Sequence, residues 1–250
     1  MIIIKSMDEI YKMKKAGQVL AGAHKEIAKF IRPGISTMEI ENLVEKYLKD
    51  HGASPEQKGY QGYPYATCAS INDEICHGFP RKSPLKDGDI VTIDMVVNLE
   101  GYLADSAWSY GVGTLSEEAK KLLEVTKKAL YLGIDQAIIG NRIGDISHAI
   151  QSYVEPLGYS VVRDFVGHGI GKSMHEDPQV PHYGNPGRGP RLTEGMVITI
   201  EPMINMGTFR LKIDDNNWTA RTTDGKLSAQ YEHTLAITKE GPMILTQEDD

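Results

Sequence analysis

The sequence predicts an α/β (α+β) domain in which helices flank an antiparallel β-sheet core and two related halves pack against each other. Three observations predict this fold. The chain has 250 residues and is 40% hydrophobic, which is enough for a sizeable core. A helix–break–helix–glycine pattern occurs twice, and so does an apolar strand that ends in an acid.

The two strand motifs are "LKDGDIVTID" from Leu85 to Asp94 and "LTEGMVITIE" from Leu192 to Glu201. They share a leucine, a glycine, a Thr-Ile pair and the terminal acid. A repeat with only two units argues against a solenoid, which contains many repeats. It favours a single domain, residues 1–250, made of two related halves. We place the halves at about residues 1–110 and 111–250.

The first half begins with two predicted helices. Apolar residues at helical spacing predict the first one: Ile10, Met13, Leu20, Ile27 and Ile31. Pro33 and Gly34 then break the helix, and Ser36 or Thr37 can cap a second helix that runs to about Gly52.

The second half repeats this order of elements. Ser116 is the predicted cap of a helix whose first turn is acidic, a break follows at Gly140, and another helix runs to Gly158. Gly140 and Gly158 each lie 106 positions after a glycine of the first half, Gly34 and Gly52. Helix–break–helix patterns are common enough that chance is an alternative, and the matching strand motifs argue against it.

A β-hairpin is predicted after Leu85, in "VTIDMVVNLEGYLADSAWSYGV", with its turn at residues 98–101. A turn centred in the middle of that segment sets Asp94 directly opposite Asp105. Like charges at directly opposed positions destabilise an antiparallel pair. We therefore expect a proton or a cation between these two carboxylates.

Two further acids lie on predicted strands of the second half. Glu201 ends the second strand motif, and Glu232 lies in "SAQYEHTLAIT". If a pseudo-twofold axis relates the halves, the four acids converge and form a site for two cations. An oxygen-rich set with one imidazole suits Mn, Fe(II), Co or Zn in a hydrolytic role.

The imidazole is predicted to be His168, in "GHGIGKSMHEDPQVPHYG", because its flanking glycines let the backbone approach a ligand closely. His77, in "NDEICHGFP", is the alternative. Four other histidines are interpreted as ordinary core or surface residues: His24, His51, His148 and His182.

Composition excludes several classes of protein. The formal net charge is -7 and no basic block is present, which argues against nucleic-acid binding. No apolar run approaches the length that spans a membrane. Two cysteines are too few for a disulfide framework, so we expect reduced thiols and a cytoplasmic protein.

Four motifs carry a family resemblance: "IDMVVNLEGYLADSA", "GHGIGKSMHEDPQVPHYG", "TIEPMI" and "SAQYEHT". Together they resemble the bacterial, type I methionine aminopeptidases of peptidase family M24, over essentially the whole chain. The resemblance implies the pseudo-twofold "pita-bread" fold. It also implies five ligands for two divalent metal ions: Asp94, Asp105, His168, Glu201 and Glu232.

The same resemblance implies roles around the metals. Glu201 resembles the glutamate that also moves a proton, and His77 and His175 resemble the two histidines that contact substrate without binding metal. Four residues resemble the wall of a methionine pocket: Tyr60, Tyr63, Cys68 and Trp218. Met174 departs from many relatives, which have Phe there, so the pocket wall is expected to be more pliable.

The implied activity is removal of the initiator methionine from deformylated nascent chains whose second residue is small. The implied protein is a monomer that contacts the ribosome transiently. Proline-directed peptidases on the same fold are an alternative, but they usually carry an extra N-terminal domain for which we expect no room in this chain. A non-catalytic homologue that has lost ligands is a second alternative, and the presence of all five ligands argues against it.

Overall fold

The computed structural model describes residues 1–247. Four long helices are α1 (Met7–Phe30), α2 (Thr37–Asp50), α3 (Glu117–Asp135) and α4 (Ile143–Val154). Short 3₁₀ helices lie at Tyr60–Gly62 and Glu155–Leu157. No helix in this part of the chain is long and apolar enough to cross a membrane.

The helices begin where the sequence places their caps. Of the two candidates for α2, Ser36 is the N-cap, and its hydroxyl accepts from Glu39 N while the Glu39 carboxylate accepts from Ser36 N, a reciprocal capping box. Ser116 caps α3 by accepting from Ala119 N. Gly158 ends the helical segment after α4 with a φ of 87°, a conformation that favours glycine.

Fifteen strands form four antiparallel sheets within residues 1–247. The first sheet contains β1 (Ser54–Pro55), β2 (Cys68–Ile71), β4 (Ile90–Leu99) and β5 (Tyr102–Gly111). The second has the order β15-β14-β9-β7-β8 and contains β7 (Gly167–Gly169), β8 (Glu176–Val180), β9 (Val197–Ile200), β14 (His233–Thr238) and β15 (Gly241–Ile244).

Two smaller sheets complete the fold. One contains β6 (Ser160–Val161), β10 (Met203–Asn205) and β13 (Ser228–Gln230). The other contains β3 (Glu74–Cys76), β11 (Leu211–Ile213) and β12 (Ala220–Thr222).

The hairpin of β4 and β5 has a different register from the predicted one. Leu99 pairs with Tyr102, so the turn consists of Glu100 and Gly101, whose φ values of 54° and 82° are the two positive values that a type I′ turn requires. Asp94 therefore faces Ala107 rather than Asp105. The prediction of directly opposed aspartates was wrong, because the turn residues lie one position later than expected.

The two largest clusters of the hydrophobic core each pack beside one pair of long helices. One buried cluster joins α1 and α2 to the β2–β4–β5 sheet, and a larger one joins α3 and α4 to β9, β10, β13 and β14. The division into two related halves stays a prediction. The first and second sheets meet at Asp105, whose main-chain N donates to Thr234 Oγ1 at 3.0 Å and whose carbonyl accepts from the same hydroxyl at 2.8 Å.

Candidate metal centre and active site

All twelve residues that the sequence analysis selected line one cavity of about 470 Å³. The five acid and imidazole side chains come from different strands of the two larger sheets and from the ends of those strands. Seven more residues form the walls and the rim: Tyr60, Tyr63, Cys68, His77, Met174, His175 and Trp218. The structure therefore places residues more than a hundred positions apart around one opening.

The four acids lie where the sheets converge. Asp94 is on β4 and Asp105 on β5, two residues apart in register, which puts both on the same face of the sheet. Glu201 directly follows β9, and Glu232 lies between β13 and β14. Glu232 N donates to Ala107 O at 2.8 Å, which ties this acid to β5.

His168 lies on β7 with its ring directed toward the acids. Its Nε2 is 3.7 Å from Asp105 Oδ2 and 3.6 Å from Glu201 Oε1. Its Nδ1 is 2.9 Å from the carbonyl oxygen of Gly169, so Nδ1 carries the proton and donates it there. The lone pair on Nε2 is then free to bind a metal.

A divalent cation fits this group of residues. Asp105, His168 and Glu232 are buried, and each offers one ligand atom within 4.8 Å of the other two. Asp105 Oδ1 and Glu232 Oε1 are buried without a hydrogen-bond partner, which is costly for a carboxylate unless a cation or a proton satisfies it. Asp94 and Glu201 line the same cavity beside this three-residue group.

Burial raises the pKa of all four acids. Desolvation raises the pKa of Asp94 to about 7. Desolvation, and then the charge of Asp94, raises the pKa of Glu201 to about 8. The pKa values of Asp105 and Glu232 also lie well above their ordinary values, through desolvation and then the neighbouring carboxylates. Without a cation, burial therefore favours the protonated form of these acids.

Burial acts in the opposite direction on the imidazole. It lowers the pKa of His168 to about 4, with His175 as the second cause. His168 is therefore neutral at physiological pH, which is the form that binds a metal ion.

Two further histidines line the cavity. The His175 ring lies 4.4 Å from the His168 ring between centroids, and Tyr60 Oη is 3.0 Å from His175 Nδ1. His77 follows β3 with a φ of 57°, and its ring meets Phe165 edge-on at 5.1 Å. Desolvation lowers the pKa of His77 to about 4.

Another part of the cavity wall is aromatic and sulfur-containing. Tyr63 is buried, and its single hydroxyl proton is shared between the carbonyl oxygens of Thr67 and Gly78, which lie 2.9 and 3.0 Å from the hydroxyl oxygen. Its ring meets Trp218 edge-on at 5.0 Å. Because the hydroxyl is held by the main chain, Tyr63 presents carbon to the cavity. Cys68 and Met174 are also buried in this wall: each is 7% exposed.

The structure adds residues to the site that the sequence analysis missed. They are Gln57, Gln61, Cys76, Val96, Phe165, Val166, Met203 and Gln230. His182, interpreted from the sequence as an ordinary core or surface residue, is fully buried, and its Nε2 accepts from Glu201 N at 3.0 Å. No local pattern singles out these residues, because each reaches the site through contacts distant in sequence.

Residues 11–239 match metallopeptidase family M24. The chain belongs to this family. An M24 metallopeptidase is a hydrolase that uses divalent metal, in agreement with the buried acids and the imidazole described above.

The relatives of this M24 chain match it over nearly its full length. It is 52% identical over 246 residues to a methionine aminopeptidase of Clostridium perfringens, covering 98% of this chain and 99% of that protein. It is 51% identical over 247 residues to methionine aminopeptidase 1 of Bacillus subtilis, covering 99% of this chain and 100% of the relative.

Solved M24 structures confirm the predicted fold class. A methionine aminopeptidase from Rickettsia prowazekii superposes with a TM-score of 0.97 at 42% identity, covering 98% of this chain and all of that one. A prolidase from Pyrococcus furiosus superposes with a TM-score of 0.81 at 25% identity, covering 99% of this chain and 66% of the prolidase. This M24 chain therefore has the pita-bread fold.

Proposed function

We propose that the protein is a metal-dependent methionyl aminopeptidase that removes the N-terminal methionine from deformylated nascent chains with a small second residue. One observation carries the proposal. The buried group of Asp105, His168 and Glu232, with two carboxylate oxygens lacking partners, opens into the same cavity as the wall of Tyr63 and Met174. The names of the relatives support the same activity.

We propose that Asp94, Asp105, His168, Glu201 and Glu232 hold two divalent ions, which could be Co, Mn, Fe(II) or Zn. Such a pair, when bound, lowers the pKa of a water molecule and polarises the scissile carbonyl. The absence of a cysteine from the proposed ligand set favours oxygen-preferring ions over a structural thiolate zinc site.

Glu201 is the proposed base and proton carrier. Its Oε1 accepts a hydrogen bond from Thr199 Oγ1 at 2.9 Å, which orients the carboxylate. In the ionised form that binds a metal ion, this carboxylate can act as a general base toward a water molecule in the cavity. Glu201 therefore takes the proton of the attacking water and passes it to the leaving amine.

His175 is the proposed donor to the oxygen of the scissile carbonyl. Tyr60 contacts His175 Nδ1, which leaves Nε2 free to donate from the cavity rim. A donor aimed at an oxygen that becomes negative stabilises the transition state more than the bound substrate. His77, which lines the same cavity, is the second histidine that we propose contacts substrate.

The pocket explains the proposed specificity. A flexible, unbranched thioether fits between Tyr63, Cys68, Met174 and Trp218, which present carbon and sulfur. His77 and His175 crowd the region beyond the scissile bond, so only small second residues should be accepted.

We also propose that the protein acts as a monomer in the cytoplasm, with transient ribosome contact and without nucleic-acid binding of its own.

Peptide hydrolysis tests this proposal. The Mn(II)-loaded protein should release methionine from Met-Ala-Ser far faster than from Met-Leu-Ser, because the longer side chain meets the histidines. A chelator should stop the reaction and added Mn(II) should restore it. An Ala-Pro-Ser peptide is the control for the proline-directed alternative. Cleavage of that control in preference to Met-Ala-Ser would contradict the proposal.

A further inference from the structure

We propose that Gln57 is a positioning residue that holds the main chain of β4 at the proposed metal ligand Asp94. The inference rests on the proposed function, since Gln57 acts through that ligand. Gln57 lines the catalytic cavity, is 6% exposed and lies in the segment between β1 and β2.

The two strands that flank Gln57 share one edge of β4 and leave a gap between them. Pro55, the last residue of β1, pairs with Val97 of β4. Cys68, the first residue of β2, pairs with Asp94 of β4. Val96 lies between those two pairings. Its carbonyl accepts from Glu56 N at 2.9 Å, which leaves its buried N–H to be satisfied from elsewhere.

The side-chain amide of Gln57 fills this gap. Its Oε1 accepts from Val96 N at 2.6 Å, and its Nε2 donates to Asp94 O at 3.2 Å. The side-chain amide thus accepts a hydrogen bond from Val96 and donates one to Asp94. A peptide group of a neighbouring strand would make the same two hydrogen bonds to β4. Nε2 also lies 3.5 Å from Cys68 Sγ, at the start of β2.

Asp94 is consequently held from both edges of β4. On one edge it pairs with Ala107 of β5, and on the other it is held by Cys68 of β2 and by the Gln57 amide. The position of a ligating carboxylate follows its main chain, and outer groups that orient metal ligands typically change metal affinity by about 10–100-fold when removed. Gln57 is placed to have such an effect.

Gln61 provides a matched comparison. It lines the same cavity, but it is exposed, and its amide donates to Tyr60 Oη at 3.3 Å rather than to β4. Methionine is nearly isosteric with glutamine and forms neither of the amide hydrogen bonds. Gln57→Met and Gln61→Met therefore make the same chemical change in the same cavity. Only Gln57→Met removes hydrogen bonds to β4.

The test titrates Mn(II) into the metal-free parent and both variants by calorimetry, and measures Met-Ala-Ser hydrolysis at saturating Mn(II). Gln57→Met should weaken Mn(II) binding by about 10-fold or more and lower kcat, with KM for the peptide within about twofold of the parent. Gln61→Met should match the parent in Mn(II) affinity. Exchange of the Val96 amide with deuterium should also be faster in Gln57→Met alone.

A folded Gln57→Met protein that binds Mn(II) within about twofold of the parent would overturn the inference. If Gln57→Met does not fold, Gln57→Asn replaces it under the same criterion, because the shorter amide cannot reach both Asp94 and Val96. A Mn(II)-loaded parent that fails to release methionine overturns the proposed function instead. An active parent with unchanged Gln57 variants overturns the Gln57 inference alone.

Discussion

Binding of Mn(II) to the metal-free protein should release protons, and its affinity should therefore rise with pH. Desolvation in the cavity raises the pKa of Asp94 to about 7 and that of Glu201 to about 8. A metal ion binds the ionised carboxylates, so protons compete with it below these values. The affinity should be low at acidic pH, rise through the neutral range, and level off once the carboxylates are ionised without metal.

The size of the effect follows from the two pKa values. With pKa values raised to about 7 and about 8, Asp94 and Glu201 both hold protons over part of the neutral range. Each proton that binding displaces changes the affinity about tenfold per pH unit. The apparent association constant should therefore rise by roughly tenfold or more per pH unit between pH 6 and 7.

Isothermal calorimetry at several pH values, each in two buffers of different ionisation enthalpy, measures both the affinity and the number of protons released. The measured enthalpy should depend on the buffer at pH 7, because the buffer takes up the released protons. Equal enthalpies in both buffers, together with an affinity that does not change between pH 6 and 8, would refute the assignment of protonated acids.

Three further outcomes are expected. Asp105→Asn should abolish Mn(II) binding in calorimetry and methionine release in the peptide assay, because it removes a charged ligand; near-normal binding would show that Asp105 is not a ligand. His175→Ala should keep its metal content by elemental analysis but lower kcat by about 10²–10³-fold, since it loses a donor that acts in the transition state; loss of the metal would make His175 a ligand. Mn(II) at about 100 times its Kd should stabilise the fold by about 2.7 kcal/mol, which raises Tm by roughly 5–10 °C in calorimetric scans; equal melting with and without metal would show that Mn(II) does not bind the folded protein in preference to the unfolded chain.

Most of the fold could be predicted because local signals determine it. Ser36 and Ser116 cap helices through contacts with residues three positions later, and such spacing can be read from the sequence. The hairpin register could not be predicted to the residue, since it depends on where positive φ values occur, at Glu100 and Gly101.

The register error still leaves Asp94 and Asp105 on one face of the sheet, for a physical reason. Because the turn lies one position later, the residue opposite Asp94 changes by two positions, from the predicted Asp105 to Ala107. Side chains alternate between the faces of a strand, so this change of two keeps Asp94 and Asp105 on the same face. A change of one in the pairing partner would place them on opposite faces. Gln57 and His182 could not be assigned in the same way. Their contacts with the main chains of Asp94 and Glu201 arise only when the chain folds.

Anomalous X-ray diffraction from crystals of the Mn(II)-loaded protein tests the central claim most directly. The proposed site predicts two Mn(II) peaks in the cavity, each bound by residues from one set: Asp94, Asp105, His168, Glu201 and Glu232. A Mn(II) peak outside the cavity, or one bound in the cavity without any of these five side chains, would contradict the account.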